Sequence, residues 1–208
     1  MMLQAVAHDV KNKLAELAMR LLERDIEAAA LALDSADKLA QALLLDNPDQ
    51  LAPQIEAACP ADLLEEMAAV YGQLFPNRVV ATDVSVAPTL WYYDAALMRL
   101  ALSNALHNAC KHSARSVHVS AYERNGYLVF EVRNDGETFP PAVLNRNWED
   151  GSLADTGVRL AQSGGTGLGL LLSHKIVHAH TLDKNGLQRC GHLVLANDPG
   201  AVARLSIP

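Results

Sequence analysis

Two asparagines, a lysine and a histidine stand at Asn104, Asn108, Lys111 and His112. Their spacing of i, i+4, i+7 and i+8 puts all four on one face of a helix. Asn is a mediocre helix former, so two of them in mid-helix call for a reason. An amide oxygen is a hard ligand suited to Mg²⁺, which binds few protein groups and shares phosphate oxygens. Lys111 would then neutralise phosphate charge, although a solvated polar face accounts equally for this element alone. A glycine cluster, Gly164-Gly165-Thr166-Gly167-Leu168-Gly169, stands just before an apolar stretch. Glycines let a backbone approach a ligand closely, and the start of a helix offers unpaired N–H groups to anions, so together they suggest a phosphate cradle. The cluster is neither a Walker loop nor a strand-borne dinucleotide fingerprint. A third group, Asn134-Asp135-Gly136, follows a strand-like run and can place a hydrogen-bonding side chain in a pocket. The fourth is His8-Asp9 with Asn12 one turn on. A histidine with an adjacent carboxylate can act as a nucleophile, because the carboxylate takes one ring proton and leaves the other nitrogen its lone pair.

These residues need elements to position them. Leu3, Ala7, Val10, Leu14, Leu17 and Leu21 form one apolar seam, and Ile26, Ala29, Leu33, Ala36, Ala40 and Leu43 a second after Asp25. Two amphipathic helices with a short joint predict an antiparallel hairpin, and a hairpin this small predicts a homodimer in which a four-helix bundle buries both seams. The seam turns His8 and Asn12 outward. Residues 48–60, with Pro48, Pro53 and Pro60, read as a linker. Beyond it the pattern predicts a helix from Asp62 to Phe75, a β-rich stretch from Arg78 to Val86, and a helix capped by Asp94 that runs to about Lys111. Two hairpins are expected, one about Asn125-Gly126 and one about Asn197–Gly200. A further helix is expected from about Leu168 to His178. Helices mixed with antiparallel hairpins indicate an α+β domain: one sheet with helices on one face. The division is a helical-hairpin domain over 1–52 and a second domain over 53–208.

Composition bounds the rest. Lys and Arg number 17 against 24 Asp and Glu, a net charge of −7, which disfavours sequence-independent nucleic-acid binding. The 208 residues are half hydrophobic and 20% charged, so a packed core is expected rather than disorder. Three scattered cysteines form no CxxC pair and fit a reducing compartment. No apolar run is long enough for a membrane segment, and no signal peptide is visible. His174, His178 and His180 could be read as a metal cluster, but no helix-borne Glu completes the usual zinc pattern.

In this order the four groups resemble the transmitter region of bacterial two-component sensor histidine kinases, whose ATP-binding domain is shared with gyrase, mismatch-repair ATPases and heat-shock chaperones (the GHKL, or Bergerat, type). His8-Asp9 with Asn12 and Leu14 looks like the phosphoacceptor box, Asn104 to His112 like the asparagine box, Asn134-Asp135-Gly136 like the first glycine box, and Gly165-Thr166-Gly167-Leu168-Gly169 like the second. The segment 140–164 would be the ATP lid. The resemblance implies an α/β-sandwich ATP-binding domain, with ATP and Mg²⁺ as cofactors and Mg²⁺ held through Asn108. It implies that His8 attacks the γ-phosphate with Asp9 as base or orienter, and that the phosphoryl group passes to an aspartate of a response-regulator receiver domain. Asn12 would position water for the reverse, phosphatase reaction. A cytoplasmic location is expected, as a free protein or as the cytosolic part of a longer sensor whose input region precedes Met1.

The sequence also departs from the family pattern. Lys13 stands where many members carry Pro, and Thr138 where a second glycine is usual. Asn134 replaces the Asp whose carboxylate accepts the adenine amino proton; an amide oxygen can still accept that bond, without the charge and with an added donor. Asp135 is adjacent, but strand alternation points it elsewhere. No clear phenylalanine box is present, and Trp148 is the one large aromatic in the lid. Three rivals follow from the same residues: a histidine phosphotransferase or receiver-binding module with a degenerate ATP site, a serine kinase of the anti-sigma type, and a kinase-fold phosphatase.

Overall fold

The computed structural model describes residues 51–146, 148, 168–184 and 186–208. Within Leu51–Pro208, which forms one compact unit, the elements run β1 (Glu56–Ala58), α1 (Pro60–Leu74), β2 (Val79–Asp83), β3 (Trp91–Tyr93), α2 (Ala95–His112), β4 (Ser116–Arg124), β5 (Tyr127–Asn134), α3 (Pro141–Leu144), α4 (Leu168–Ala179), β6 (Thr181–Lys184), β7 (Leu187–Cys190), β8 (His192–Asn197) and β9 (Ala201–Ile207). The helical hairpin expected over the first 52 residues falls almost wholly outside the described residues.

The main sheet has five strands in the order β2-β4-β5-β9-β8. Its pairs are antiparallel except β2 with β4, which is parallel and joined through the crossover helix α2. Register follows from alternation. Val119 pairs with Val132 and Ala121 with Phe130 across β4 and β5, while Phe130 pairs with Leu205 and Leu128 with Ile207 across β5 and β9. All these side chains are buried, and they form the face on which α1, α2 and α4 pack. Burying each large apolar side chain contributes roughly 1.5–3 kcal/mol. The intervening residues, among them Glu131 and Arg204, lie on the opposite face, where the Arg204 Nε donates to Glu131 Oε2 at 2.6 Å. The first hairpin turns at Asn125 (φ 55°) and Gly126 (φ 73°), the two positive φ values that a two-residue turn between twisted strands requires.

Two small sheets were not foreseen. β1 pairs antiparallel with β3, so Glu56–Ala58 is a strand inside what reads as linker. β6 and β7 form a separate hairpin turning at Gly186 (φ 78°).

The helix ends are held by identifiable groups. Pro60 opens α1 at a position where its missing N–H costs nothing. Asp94 caps α2: its Oδ1 accepts from the Leu97 N–H at 2.9 Å and its Oδ2 from the Gln54 N–H at 2.8 Å. The Asp94 N–H itself donates to His180 Nε2 at 3.1 Å, so that nitrogen carries the lone pair. The proton then sits on Nδ1 and donates to the Ile176 carbonyl at 2.8 Å. His180 is buried and ties the end of α4 to the start of α2. Both ring nitrogens face backbone groups, so it cannot complete a metal site with His174 and His178. Among the described residues, no cluster of three metal-ligating groups occurs.

Burial lowers the His180 pKa below its ordinary value, against the opposing pull of the Ile176 carbonyl and the Asp94 carboxylate. A depressed pKa means that the unfolded chain takes up this proton first as pH falls. His180 therefore supports the fold fully above about pH 6.5, and that support is lost as pH falls toward the lower folded-state value. The urea midpoint should drop between about pH 8 and about pH 5.5, and it should drop less in His180→Gln. An equal drop in the two proteins would remove His180 as the cause.

Candidate functional site

The polar face of α2 is graded in burial: Asn104 is buried, Asn108 and His112 are half-buried, and Lys111 is exposed. Asn104 faces the first turn of α4. Its Nδ2 donates to the Gly169 carbonyl at 3.2 Å, and the Ser173 hydroxyl lies 3.5 Å from the same nitrogen. Ser173 Oγ is also within hydrogen-bond distance of the Ala101 carbonyl (3.0 Å) and the Gly169 carbonyl (2.9 Å). Gly169 makes room for this approach: a Cβ there would stand 3.1 Å from Asn104 Cγ and Oδ1, tighter than most side-chain contacts. The last glycine of the cluster is thus a packing residue between two helices, and the polar face of α2 abuts the helix start that follows the cluster. Ser173 was not anticipated; its signal is a lone hydroxyl one turn after Gly169 in a leucine-rich helix.

The turn after β5 closes on the other end of α2. A Cβ on Gly136 would stand 2.2 Å from the His112 carbonyl oxygen and 2.6 Å from the Ala114 nitrogen. The Glu137 N–H donates to that carbonyl at 2.9 Å, and Glu137 Oε2 lies 2.7 Å from His112 Nδ1. His112 therefore pairs with Glu137, a residue that motif reading passes over. Asp135 points away from Asn134, as alternation predicts. Its carboxylate accepts from the N–H groups of Ala114, Arg115 and Ser116 and from the Ser116 hydroxyl. These bonds, that of Arg115 foremost, hold the Asp135 carboxyl down to about 2.

Asn134 is buried at the end of β5. Its Oδ1 accepts from the Ala201 N–H at 2.9 Å and the Gly136 N–H at 3.3 Å, and its Nδ2 donates to the Glu137 carbonyl at 3.3 Å. The expectation that this amide oxygen would remain able to accept a bond from a ligand is corrected here. Both its lone pairs face backbone N–H groups. Asn197 joins the same corner to β8, exchanging bonds with the Phe139 N–H (2.9 Å) and carbonyl (3.1 Å).

Asn108 differs from these residues. Its half-buried amide has no hydrogen-bond partner among the described residues, so a hard oxygen remains for a cation and fits Mg²⁺. Cys110, nearby on α2, is buried, and burial pushes its thiol up to about 11, which removes it as a nucleophile. Trp148 lies against His174 with ring centroids 6.2 Å apart, and the Arg146 guanidinium sits over its ring at 4.7 Å. The structure therefore gathers Asn104 with Gly169, and Asn134 with Gly136 and His112. His8, Asp9, Asn12, Gly165, Thr166 and Gly167 lie outside the described residues.

A family model described as histidine kinase-, DNA gyrase B-, and HSP90-like ATPase matches residues 93–208, from β3 to the end of β9 and so across both corners of α2. The chain belongs to this family. Its relatives are sensor kinases: the sensor histidine kinase YkoH of Bacillus subtilis (strain 168) is 27% identical over 121 residues. That match covers 58% of this chain and 25% of YkoH, so the chain spans about a quarter of that relative. Full-length ShkA, solved in complex with AMPPNP, has the same fold at a TM-score of 0.61 and 22% identity, covering 99% of this chain and 44% of ShkA. The ATP-binding domain of PrrB from Mycobacterium tuberculosis matches at a TM-score of 0.53 and 25% identity, over 74% of this chain and 96% of that one. The catalytic domain of the histidine kinase ThkA matches at 0.59 and 18%, over 74% and 97%. Among the described residues, no helix of this histidine kinase-like ATPase is long and apolar enough to cross a membrane.

Proposed function

We propose that this chain is an ATP-dependent protein-histidine kinase whose C-terminal domain, 53–208, delivers the γ-phosphoryl group of ATP to His8 in a dimeric helical hairpin, 1–52. The observation that carries this reading is the seating of Gly169 against Asn104, with the Nδ2 bond to the Gly169 carbonyl at 3.2 Å. It sets the asparagine face and the start of α4 on one wall, as a triphosphate site needs. Gly165, Thr166, Gly167, Leu168 and Gly169 would offer N–H groups to the phosphates. Asn108 would hold Mg²⁺, which supplies charge neutralisation when bound, and Lys111 would add to it. His112, Asn104, Asn134 and Gly136 would line the nucleoside side.

One ring nitrogen of His8 attacks the γ-phosphorus while Asp9 holds the proton on the other. A P–N bond forms, the bond to the bridging oxygen breaks, and ADP leaves. The phosphohistidine then passes its phosphoryl group to a carboxylate of a response-regulator receiver domain, and Asn12 positions water for the reverse, phosphatase reaction. A second reading, a histidine phosphotransferase with a degenerate ATP site, is favoured by the spent oxygen of Asn134. Incubation of the full chain with γ-labelled ATP and Mg²⁺ tests the choice. The expected product is label on the protein that is lost in acid and kept in base. Acid-stable label would point to a serine kinase, and absence of label combined with uptake from a phosphorylated receiver would point to the phosphotransferase.

A further inference from the structure

The main sheet ends in two edge strands, β2 and β8, and they differ. A strand edge presents a row of unpaired N–H and C=O groups to any other strand, and proteins blunt such edges with charges, prolines or bulges. β2 ends in Asp83. β8, His192-Leu193-Val194-Leu195-Ala196-Asn197, contains no Lys, Arg, Asp, Glu or Pro, in a chain of net charge −7. Its six pairs with β9 run without a bulge. Among the described residues no strand pairs with its outer side.

The strand is apolar on both faces of the sheet. Leu193 and Leu195 pair with the buried Leu205 and Ala203 and so face the helices. Val194 pairs with Arg204 on the open face and is 42% exposed. The order Leu193-Val194-Leu195 reads the same in both directions. A two-fold axis between antiparallel strands sets one copy against its own reverse, so such a strand is its own complement. With the axis at Val194, that residue meets its counterpart, each Leu193 meets a Leu195, and each His192 meets an Ala196. Leucines then meet on the helix side and valines on the open side, and no like charges are opposed. An axis at Leu195 would set Leu193 against the polar Asn197. An axis between two residues would oppose side chains that belong to opposite faces.

We propose that β8 is a self-pairing edge, through which two copies of this chain join antiparallel about Val194 into one continuous sheet with five strands from each copy. The surface is separate from the helical hairpin expected over 1–52, and it does not depend on the kinase reading. The contact is small, six residues a side, so the association is weak.

Sedimentation equilibrium of the full chain between about 1 and about 500 μM tests this. The weight-average mass should double across that range, counted from its value at the lowest concentration. Val194→Lys and Val194→Glu each place like charges opposite one another at the axis, and each should move the midpoint of the doubling about tenfold higher. An equimolar mixture of the two variants sets opposite charges together and should restore the midpoint to within about threefold of the parent. Recovery in the mixture cannot come from a damaged fold, so it decides the matter even where one variant is less stable. Val79→Lys and Val79→Glu, at a 65% exposed position on β2, change the net charge equally and should leave the midpoint in place. Equal effects at positions 79 and 194, or no recovery on mixing, overturn the proposal. A parent chain whose mass does not double also overturns it and leaves the edge to a strand of another protein.

Discussion

His8→Gln is expected to abolish ATP-dependent phosphorylation of the chain and to leave nucleotide binding unchanged. Glutamine keeps the polarity and approximate length of the imidazole, but its amide nitrogen has its lone pair delocalised into the carbonyl and is no nucleophile. Removing an attacking group costs the whole chemical step, so labelling should fall by at least a thousandfold, on the order of what nucleophile deletions cost elsewhere. The residues assigned to the nucleotide, Asn104 to Gly169, lie within the matched ATPase segment, so affinity should stay within about twofold. Acid-labile label and a binding isotherm on one preparation measure both. Label that persists in His8→Gln moves the phosphoacceptor elsewhere, while loss of binding as well as label would mean that the substitution damaged more than the nucleophile.

Gly136→Ala is the second large effect, and it acts through the fold. A Cβ at 136 would lie 2.2 Å from the His112 carbonyl oxygen and within 2.8 Å of the backbone at Ser113 and Ala114. No side chain can swing aside to relieve this, because the obstacle is main chain at the end of α2. The turn or the helix end must shift, at a cost of about 3 kcal/mol, the upper part of the usual range for overpacking. In a domain of this size that lowers Tm by roughly 6–12 °C. The shift also pulls the Glu137 carbonyl from Asn134 and the Glu137 carboxylate from His112, so nucleotide affinity should fall together with stability. Gly72→Ala is the control. Nothing lies within 4 Å of a Cβ there, inside α1, and the variant should be as stable as the parent or more so. A Gly136→Ala protein with unchanged Tm would contradict the close approach described here.

The parts of the fold that were legible from sequence are those whose signals are local. Asp94 announces α2 because a carboxylate before an apolar helix has one obvious task, and it caps that helix as expected. Asn125-Gly126 announces its hairpin because both residues tolerate positive φ. The β1–β3 pair was not legible, since two three-residue strands have no periodicity and their pairing joins Glu56 to Tyr93 across the whole of α1 and β2. The β6–β7 hairpin hides for a related reason: Gly186 marks the turn, but the flanking strands lack apolar alternation and form no part of the main sheet. At the site, residue types and spacing marked the asparagine face, the glycine cluster and the turn after β5. They did not mark Glu137 or Ser173, whose partners, His112 and Asn104, are distant in sequence.

By itself the sequence marked the candidate residues and the family they fit, because side-chain type and short-range spacing are properties of the chain before it folds. Only the tertiary structure decided what each polar group has left to give. Asn134 reads from sequence as an acceptor in reserve, yet β9 and the Gly136 turn bring two N–H groups to its oxygen, while its nitrogen donates to the Glu137 carbonyl. Hydrogen-bonding capacity is finite, and how much of it neighbours consume depends on groups that approach through space from 67 residues away along the chain.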